Sequence, residues 1–295
     1  MSAIAIPLIL ASPAGAKEQP AAPNACKPAV RSHHSIVRKT GSSSLTLDDG
    51  SEVVLAGLII ASRLDSNTEV STWPPEHHAQ TELARLAVGA SAGIAPTSTT
   101  RDRYNRLTAH VFLDRAGPTI WLQAQLLRRG HARLNPQDLS PACAVALRKM
   151  ETTARLAKLG LWQHAAYQIR RAERPRALLR YRNTFQIVDG VVRRVSRTNA
   201  RSYINFGSNW RTDFTAGLAA SLARNAEIDG IPINRLAGRT LRIRGWVRNR
   251  GGPFIAIRSL SQIELLRGRQ TDSTDRHRRR ATAPLINRKR NAPGR

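Results

Sequence analysis

Ser44-Leu45-Thr46-Leu47-Asp48-Asp49-Gly50-Ser51-Glu52-Val53-Val54-Leu55-Ala56-Gly57-Leu58 is the stretch from which the rest of the chain is placed. Its first four residues alternate polar and apolar, the pattern of a half-buried strand. Asp48-Asp49-Gly50 then supplies hairpin-turn chemistry, because glycine takes a positive φ without steric penalty. Residues 52–60 turn almost wholly apolar, which predicts a second, more deeply buried strand. Downstream, residues 76–88 place Ala79, Leu83, Leu86 and Ala87 at helical spacing and stop at Gly89. Residues 94–97 read as a short strand, and Pro96 argues for a sheet edge because proline cannot donate to a ladder. Residues 107–113 are a firmer strand and residues 120–129 a helix ended by Gly130. Ser140 can cap a last helix running to Lys158. Short strands with interleaved helices predict a mainly β chain with α (α+β), built on an OB-type five-stranded barrel.

A second run of strands begins beyond a basic linker (166–182). It occupies 185–195, 202–206, 212–216, 239–247 and 254–258, with a helical segment at 218–225 between the third and fourth. Five strands with one helix in that place predict a second, smaller OB-like barrel. On the strand 239–247, Leu241, Ile243 and Gly245 share one face while Arg242, Arg244 and Trp246 share the other. With Arg211 nearby, that face is a strip that could stack bases and hold phosphates; packing of Trp246 into the core is the competing reading. The organisation expected is a signal remnant (1–16), a flexible arm (17–35), a first domain (36–165), the linker, a second domain (183–266) and a basic disordered tail (267–295).

Composition bounds the function. Lys and Arg number 47 against 20 Asp and Glu, a net charge of +27 over 295 residues. A charge of that size favours a polyanion, by attraction and by counterion release. Because nearly all the cations are arginine and alanine is abundant, biased codon usage is a second source of the same excess. From Arg267 onward ten Lys or Arg face two Asp, a net +8 in a segment poor in apolar residues. No stretch reaches the roughly 18 apolar residues of a membrane-spanning helix. Residues 3–11 (AIAIPLILA) followed by Ala14-Gly15-Ala16 resemble the back half of a secretory signal, although its basic opening is missing. Export, periplasmic or secreted, is therefore expected. Two cysteines, Cys26 and Cys143, then suggest one disulfide, with two unrelated thiols as the alternative.

Four matches in order and spacing carry a family resemblance. Asp102-Arg103-Tyr104-Asn105-Arg106-Leu107 resembles the thermonuclease (staphylococcal-nuclease-type) signature Asp-x-Tyr-Gly-Arg, with Asn105 in the glycine's place. Val53 to Leu58 resembles the family's strand Val-Arg-Leu-Ala-Gly-Ile. Leu126 to Arg133 is similar to its Leu-Val-x-x-Gly-x-Ala-x stretch, and Gly160-Leu161-Trp162 matches the usual close. The resemblance implies an OB barrel and nucleic-acid chemistry. It also implies two arginines on the phosphate, two aspartates on calcium and a glutamate that handles the attacking water.

Most of those side chains are replaced. The implied arginine is Val54, the calcium aspartate Ile59 and the glutamate Ser62, while the earlier aspartate falls near Ser43; only Arg106 is retained. Valine cannot pair a phosphate, isoleucine cannot ligate calcium, and serine is no base at neutral pH without an activating partner. No catalytic set is intact and no cofactor is expected, the calcium ligands being absent. Asp48, Asp49 and Glu52 cluster on the hairpin, where turn acids are ordinarily just solvated. His77 and His78 point about 100° apart on a helix and cannot share a metal. Asp102 and Arg103 are either solvated turn charges or supports for Arg106. The nucleic-acid-binding candidates are Arg106, Tyr104, Arg211, Arg242, Arg244 and Trp246. The leading expectation is an exported nucleic-acid-binding protein derived from a nuclease and no longer catalytic by the family mechanism. A divergent metal-dependent nuclease and an envelope protein binding protein partners, with its tail on an anionic surface, are the alternatives.

Overall fold

The computed structural model describes residue 26 and residues 29–66, 72–98, 100–114, 116–224 and 226–266. The expected signal segment, residues 17–25 of the arm and the tail from Arg267 onward lie outside the described residues. Along the first half come β1 (Ser32–Thr40), β2 (Ser44–Leu47), β3 (Glu52–Leu55), β4 (Leu58–Ile60), α1 (Pro74–Ala87) and β5 (Ser91–Pro96). β6 (Leu107–Leu113), β7 (Ile120–Trp121), α2 (Leu122–Arg128), β8 (Ala132–Leu134) and α3 (Pro141–Leu156) follow.

β1 pairs with β2, β2 with β3, β3 in parallel with β6, β6 with β5, and β5 with β1 again. Five strands in that cyclic order close a barrel of OB type. Ile36, Leu45, Val53, Leu55, Ile94 and Val111 fill it, each at most 2% exposed. Burying one such side chain stabilises by about 1.5–3 kcal/mol. α1 covers the barrel with Ala79, Leu83, Leu86 and Ala87, the stripe that its spacing predicts. From α2 the buried Gln123 donates to Ala109 O at 2.9 Å and accepts from Val111 N at 3.2 Å, a side chain standing in for a strand beside β6.

Three expectations are corrected here. β1 starts at Ser32, inside the stretch expected to be arm. β5 is not an edge: it lies between β1 and β6, and Pro96 is its last residue, where the missing N–H costs least. The strand expected over 52–60 is two strands, broken at Ala56-Gly57, where Gly57 has φ +74° and a Cβ would meet Leu139 at 2.6 Å. β4 then pairs with β8 in a separate ribbon, Ile59 opposite Arg133.

The second half holds β9 (Arg170–Arg171), α4 (Pro175–Leu179), β10 (Phe185–Val191), β11 (Arg194–Arg197), β12 (Arg201–Asn205) and β13 (Thr215–Ala219). It ends with α5 (Ala220–Ala223), β14 (Glu227–Ile228), β15 (Ile231–Pro232), β16 (Thr240–Arg250), β17 (Gly252–Ile257) and β18 (Ile263–Leu266). β10 and β11 are one strand bent at Val192-Arg193. Counted so, the pairings run β11–β12, β12–β13, β13 parallel to β17, β17–β16 and β16–β10, the cyclic order of the first barrel. Leu218, expected in the helix, belongs to β13. The stretch expected as a linker is folded. β9 pairs with β10, Leu178 is 1% exposed, and Arg170 lies over the Tyr181 ring at 3.8 Å.

Buried polar contacts seam the two halves. Arg244 NH1 donates to Glu151 Oε2 on α3 at 2.7 Å and to Leu134 O at 3.2 Å. Arg133 NH1 donates to Phe185 O, and Arg148 NH2 to Ser261 O at 2.6 Å. Phe185 and Ile187 of β10 belong to the first apolar cluster, so the cores meet along this strand. Sγ of Cys26, itself 1% exposed, is bonded to Sγ of Cys143 on α3. Among the described residues no helix is long and apolar enough to cross a membrane.

Candidate nucleic-acid interface

The parallel pairing of β3 with β6 sets Val54 opposite Thr108, two residues beyond Arg106. With a side-chain period of two, the two positions at which the resemblance implies an arginine therefore share a face, and one of them is a half-buried valine. Asn105 has φ +62°, the left-handed conformation that the family's glycine would take, and asparagine is among the few other residues that tolerate it. The turn thus keeps its shape and presents Arg106. The cation is not free, however. Arg106 Nε and NH2 both donate to Asp102 Oδ2, at 2.9 and 2.8 Å, and Asp102 Oδ1 accepts the Tyr104 and Arg106 backbone N–H groups. The Arg106 side chain, then its backbone, holds the Asp102 carboxyl below the ordinary range. Tyr104 is 61% exposed, with the Arg106 and Arg103 guanidiniums 5.0 and 4.7 Å from its ring centre. Asp102 is therefore the support for Arg106 rather than a solvated turn charge.

The other positions that the resemblance implies are absorbed into structure. Ile59 is half-buried against the first core. Ser62 caps the turn that follows it: its Oγ accepts from Leu64 N at 3.3 Å, and its own N–H donates to Asp65 Oδ2 at 3.1 Å. Asp65 is 5% exposed and pairs with Arg133, NH2 to Oδ1 at 2.9 Å. Tyr167 donates its hydroxyl to Asp65 at 3.3 Å and accepts from Trp73 Nε1 at 2.8 Å; burial, and secondarily Asp65, push its pKa up. Behind Ser62 there is thus a closed ion pair, not a free carboxylate. Valine, isoleucine and serine give calcium too few oxygens for the six to eight it takes, so these residues do not fit that ion. A cleft of about 690 Å³ opens alongside, with Lys39, Arg63, Trp73, His77 and His78 on its walls.

One group of three metal-ligand types occurs among the described residues, His34, Asp48 and Asp49, and its members are already engaged. Asp48 takes His34 Nδ1 at 2.9 Å and Ser35 N at 3.0 Å, and Asp49 takes Ser51 N at 2.9 Å. The Ser35 N–H, then His34, hold the Asp48 carboxyl below its usual range. These acids close the hairpin.

The strip expected on β16 is not open. Arg244 is 2% exposed within its contacts to Glu151 and Leu134. Arg242 is 9% exposed and pairs with Asp189, Nε to Oδ1 at 2.8 Å and NH2 to Oδ2 at 2.9 Å. The correction has a simple cause: an alternating strand has two faces, and here much of the second is covered, Arg244 meeting Glu151 on α3 and Arg242 meeting Asp189 on β10. Trp246 does reach solvent, 42% exposed, with its ring edge-on to Phe185.

Arg211 stands in a different setting. Its guanidinium lies 4.9 Å from the ring centre of Trp210, which is 56% exposed and lines a cleft of about 430 Å³. Arg194 and Ser196 of β11, Tyr203 and Asn205 of β12, and Arg250 and Phe254 around the β16–β17 turn complete the walls. Arg194, Arg250 and Phe254 were missed in the sequence. Their signal was positional: in an OB barrel of this order, the strand-two face and the turn between strands four and five are where ligands sit.

Comparison with protein families matches residues 65–164 to the model described as Staphylococcal nuclease homologue, so this part of the chain is a thermonuclease-like domain. The match begins at Asp65, past Val54, Ile59 and Ser62, and includes Arg106 and Gly160-Leu161-Trp162. A search of curated proteins found no match.

Proposed function

We propose that the chain is an exported nucleic-acid-binding protein, derived from a thermonuclease and unable to cut by that family's calcium mechanism. One observation carries the loss of cleavage: the retained Arg106 is committed to Asp102 while Val54, Ile59 and Ser62 hold neither cation nor carboxylate. Nucleic acid as the partner is supported by the thermonuclease-like domain, by the +27 charge and by the two clefts with cationic walls. Export is supported by the Cys26–Cys143 bridge, since disulfides persist in oxidising compartments. Recovery of the cellular protein with two alkylatable thiols would remove that support.

The decisive assay uses the full chain with single-stranded DNA and RNA at millimolar calcium. Loss of a general base alone costs about 10²–10⁴ in rate, and a phosphate clamp and metal ligands are missing besides. The expected result is no cleavage above a buffer control, together with retention that weakens steeply with salt. A divergent hydrolase has one observation in its favour, the cleft that brings Glu76, His77 and His78 beside Lys39 and Arg63. Divalent-dependent turnover lost in His77→Ala or Glu76→Gln would establish that reading instead. Absence of retention even at low salt would leave protein partners in the envelope as the remaining one.

A further inference from the structure

The cleft on the second barrel has four properties that together select a ligand. Its floor is aromatic. Tyr203 pairs across to Gly217, and a Cβ on Gly217 would come within 2.6 Å of the Phe254 ring and 3.4 Å of the Tyr203 ring. The bare glycine therefore lets both rings pack close over the strand, Phe254 buried and Tyr203 half-buried in the cleft lining.

Its wall is held in place while remaining exposed. Asp213 takes the Asn209 N–H at 2.8 Å and closes the loop that bears Trp210. That loop is pressed onto the β16–β17 turn, since a Cβ on Gly251 would stand 2.6 Å from Arg211 O. An indole over half exposed on such a tethered loop leaves a large apolar face in water that a ligand can cover.

Its cations are uncommitted. Arg250 lies over the Phe254 ring at 4.8 Å, and neither it nor Arg194 makes an ion pair with any described residue. Asp213, the one carboxylate in the lining, is engaged by Asn209 and Thr212. The lining thus asks for negative charge around a flat apolar group. One polar group is also taken up: the Asn205 amide is held by Ser196 Oγ at 3.1 Å and by neighbouring oxygens. That amide is therefore not free to read a base edge.

We propose that this cleft is a nucleotide subsite for single-stranded nucleic acid, in which one base stacks on the Tyr203 and Trp210 rings while Arg194 and Arg250 hold the flanking phosphates. The assignment rests on the nucleic-acid reading above and adds its place and selectivity. The subsite is sequence-tolerant, because every base has a π-face. It discriminates against duplex, whose base faces are covered by their neighbours and reach a pocket only by flipping out. A neutral oligosaccharide would stack on the same rings but leave Arg194 and Arg250 without counter-charge.

The test uses the full chain and a fluorescein-labelled oligo-dT 12-mer, with Kd from anisotropy at one fixed salt concentration. Trp210→Ala, at an exposed position, should weaken binding about 5- to 100-fold, the worth of one lost stacking contact. Tyr203→Ala should do the same where circular dichroism shows the barrel folded, and Tyr203→Phe should keep the affinity. Arg224→Gln, which removes an exposed cation outside the cleft, should change Kd less than twofold. A 4-thiouridine-bearing strand should cross-link to the peptides containing Tyr203 or Trp210. Unchanged affinity in both alanine variants with cross-links elsewhere would overturn the subsite while leaving nucleic-acid binding intact. No binding by the unmodified chain would overturn both. Retention of a neutral or acidic oligosaccharide but not of oligo-dT, lost in Trp210→Ala, would reassign the cleft to that ligand.

Discussion

Both barrels set arginines against exposed aromatic rings, Arg103 and Arg106 on Tyr104 in the first, Arg211 on Trp210 in the second. The settings differ in the nearest carboxylate. Asp102 binds Arg106 through two nitrogens, whereas Asp213 near Trp210 is turned to its own loop backbone. The first arrangement neutralises a cation that a phosphate would need; the second leaves its cations available. An arginine beside an aromatic ring is thus no evidence of a phosphate site until its partners are counted. The same count separates Arg133, Arg242 and Arg244, all buried in ion pairs, from Arg194 and Arg250.

The largest test of this contrast sets a packing arginine against a cleft arginine. Arg244 and Glu151 have side chains only 2% exposed, and Glu151 also accepts Leu134 N at 2.8 Å. Removing one member strands a buried charge, which costs about 3–5 kcal/mol. Arg244→Ala should therefore lower stability in urea by that amount, while the paired change Arg244→Met with Glu151→Leu should recover most of it. Arg250→Gln should leave stability within about 0.5 kcal/mol, as for an exposed substitution away from packing features. Equal losses in Arg244→Ala and Arg250→Gln would erase the distinction.

Acid should then find the first barrel before the second. His110 is 2% exposed against Trp121, and burial depresses its pKa from 6.5 to about 4. Folded protein keeps it neutral while the unfolded chain takes up a proton below about pH 6.5. Stability is fully present above that pH and falls as the pH drops toward 4, by about 3 kcal/mol as an upper guide. His131 is shifted the same way, by burial first, whereas residues 183–266 contain no histidine. In His110→Phe the loss between pH 6.5 and 4 should shrink, as read by denaturant unfolding at each pH. A slope unaltered by that change would place the acid sensitivity elsewhere.

How much of this was legible in the sequence follows from which features are local. The β2–β3 hairpin, the α1 stripe and the Ser140 cap, whose Oγ accepts Cys143 N, depend on residues within a few positions of one another and were readable. β1 was missed because His33-His34-Ser35 carries no apolar alternation; its pairing with β2 and β5 builds it. The split at Gly57 hides inside an apolar run, and the reason for it, Leu139, lies 82 positions on. At the sites, the resemblance to the thermonuclease strand implies that Val54, Ile59 and Ser62 stand where that family has an arginine, an aspartate and a glutamate, and identity alone decides what a side chain can ligate. It could not show that Arg244 meets Glu151 across 93 positions, so alternation on β16 was taken for exposure. Charge availability is a tertiary property.

The smallest and most discriminating test is electrostatic. For single strands, each phosphate contact adds about 0.7 to the slope of log affinity against log salt. Removing residues 267–295, with net charge +8, should flatten that slope most and sets the scale. Within the barrels the effects are single contacts. Arg250→Gln should lower the slope by about 0.7, whereas Arg106→Gln should leave it unchanged, because Asp102 already pairs with that guanidinium. The converse is sharper. Asp102→Asn keeps the turn's acceptor oxygen but removes the charge, so Arg106 becomes available beside the exposed Tyr104 ring and the slope should rise by up to about 0.7. Calcium-dependent cleavage should not return with it, since Val54, Ile59 and Ser62 still provide no clamp, ligand or base. A slope that falls in Arg106→Gln would mean that Asp102 yields Arg106 to phosphate, and the two barrels would then bind nucleic acid alike.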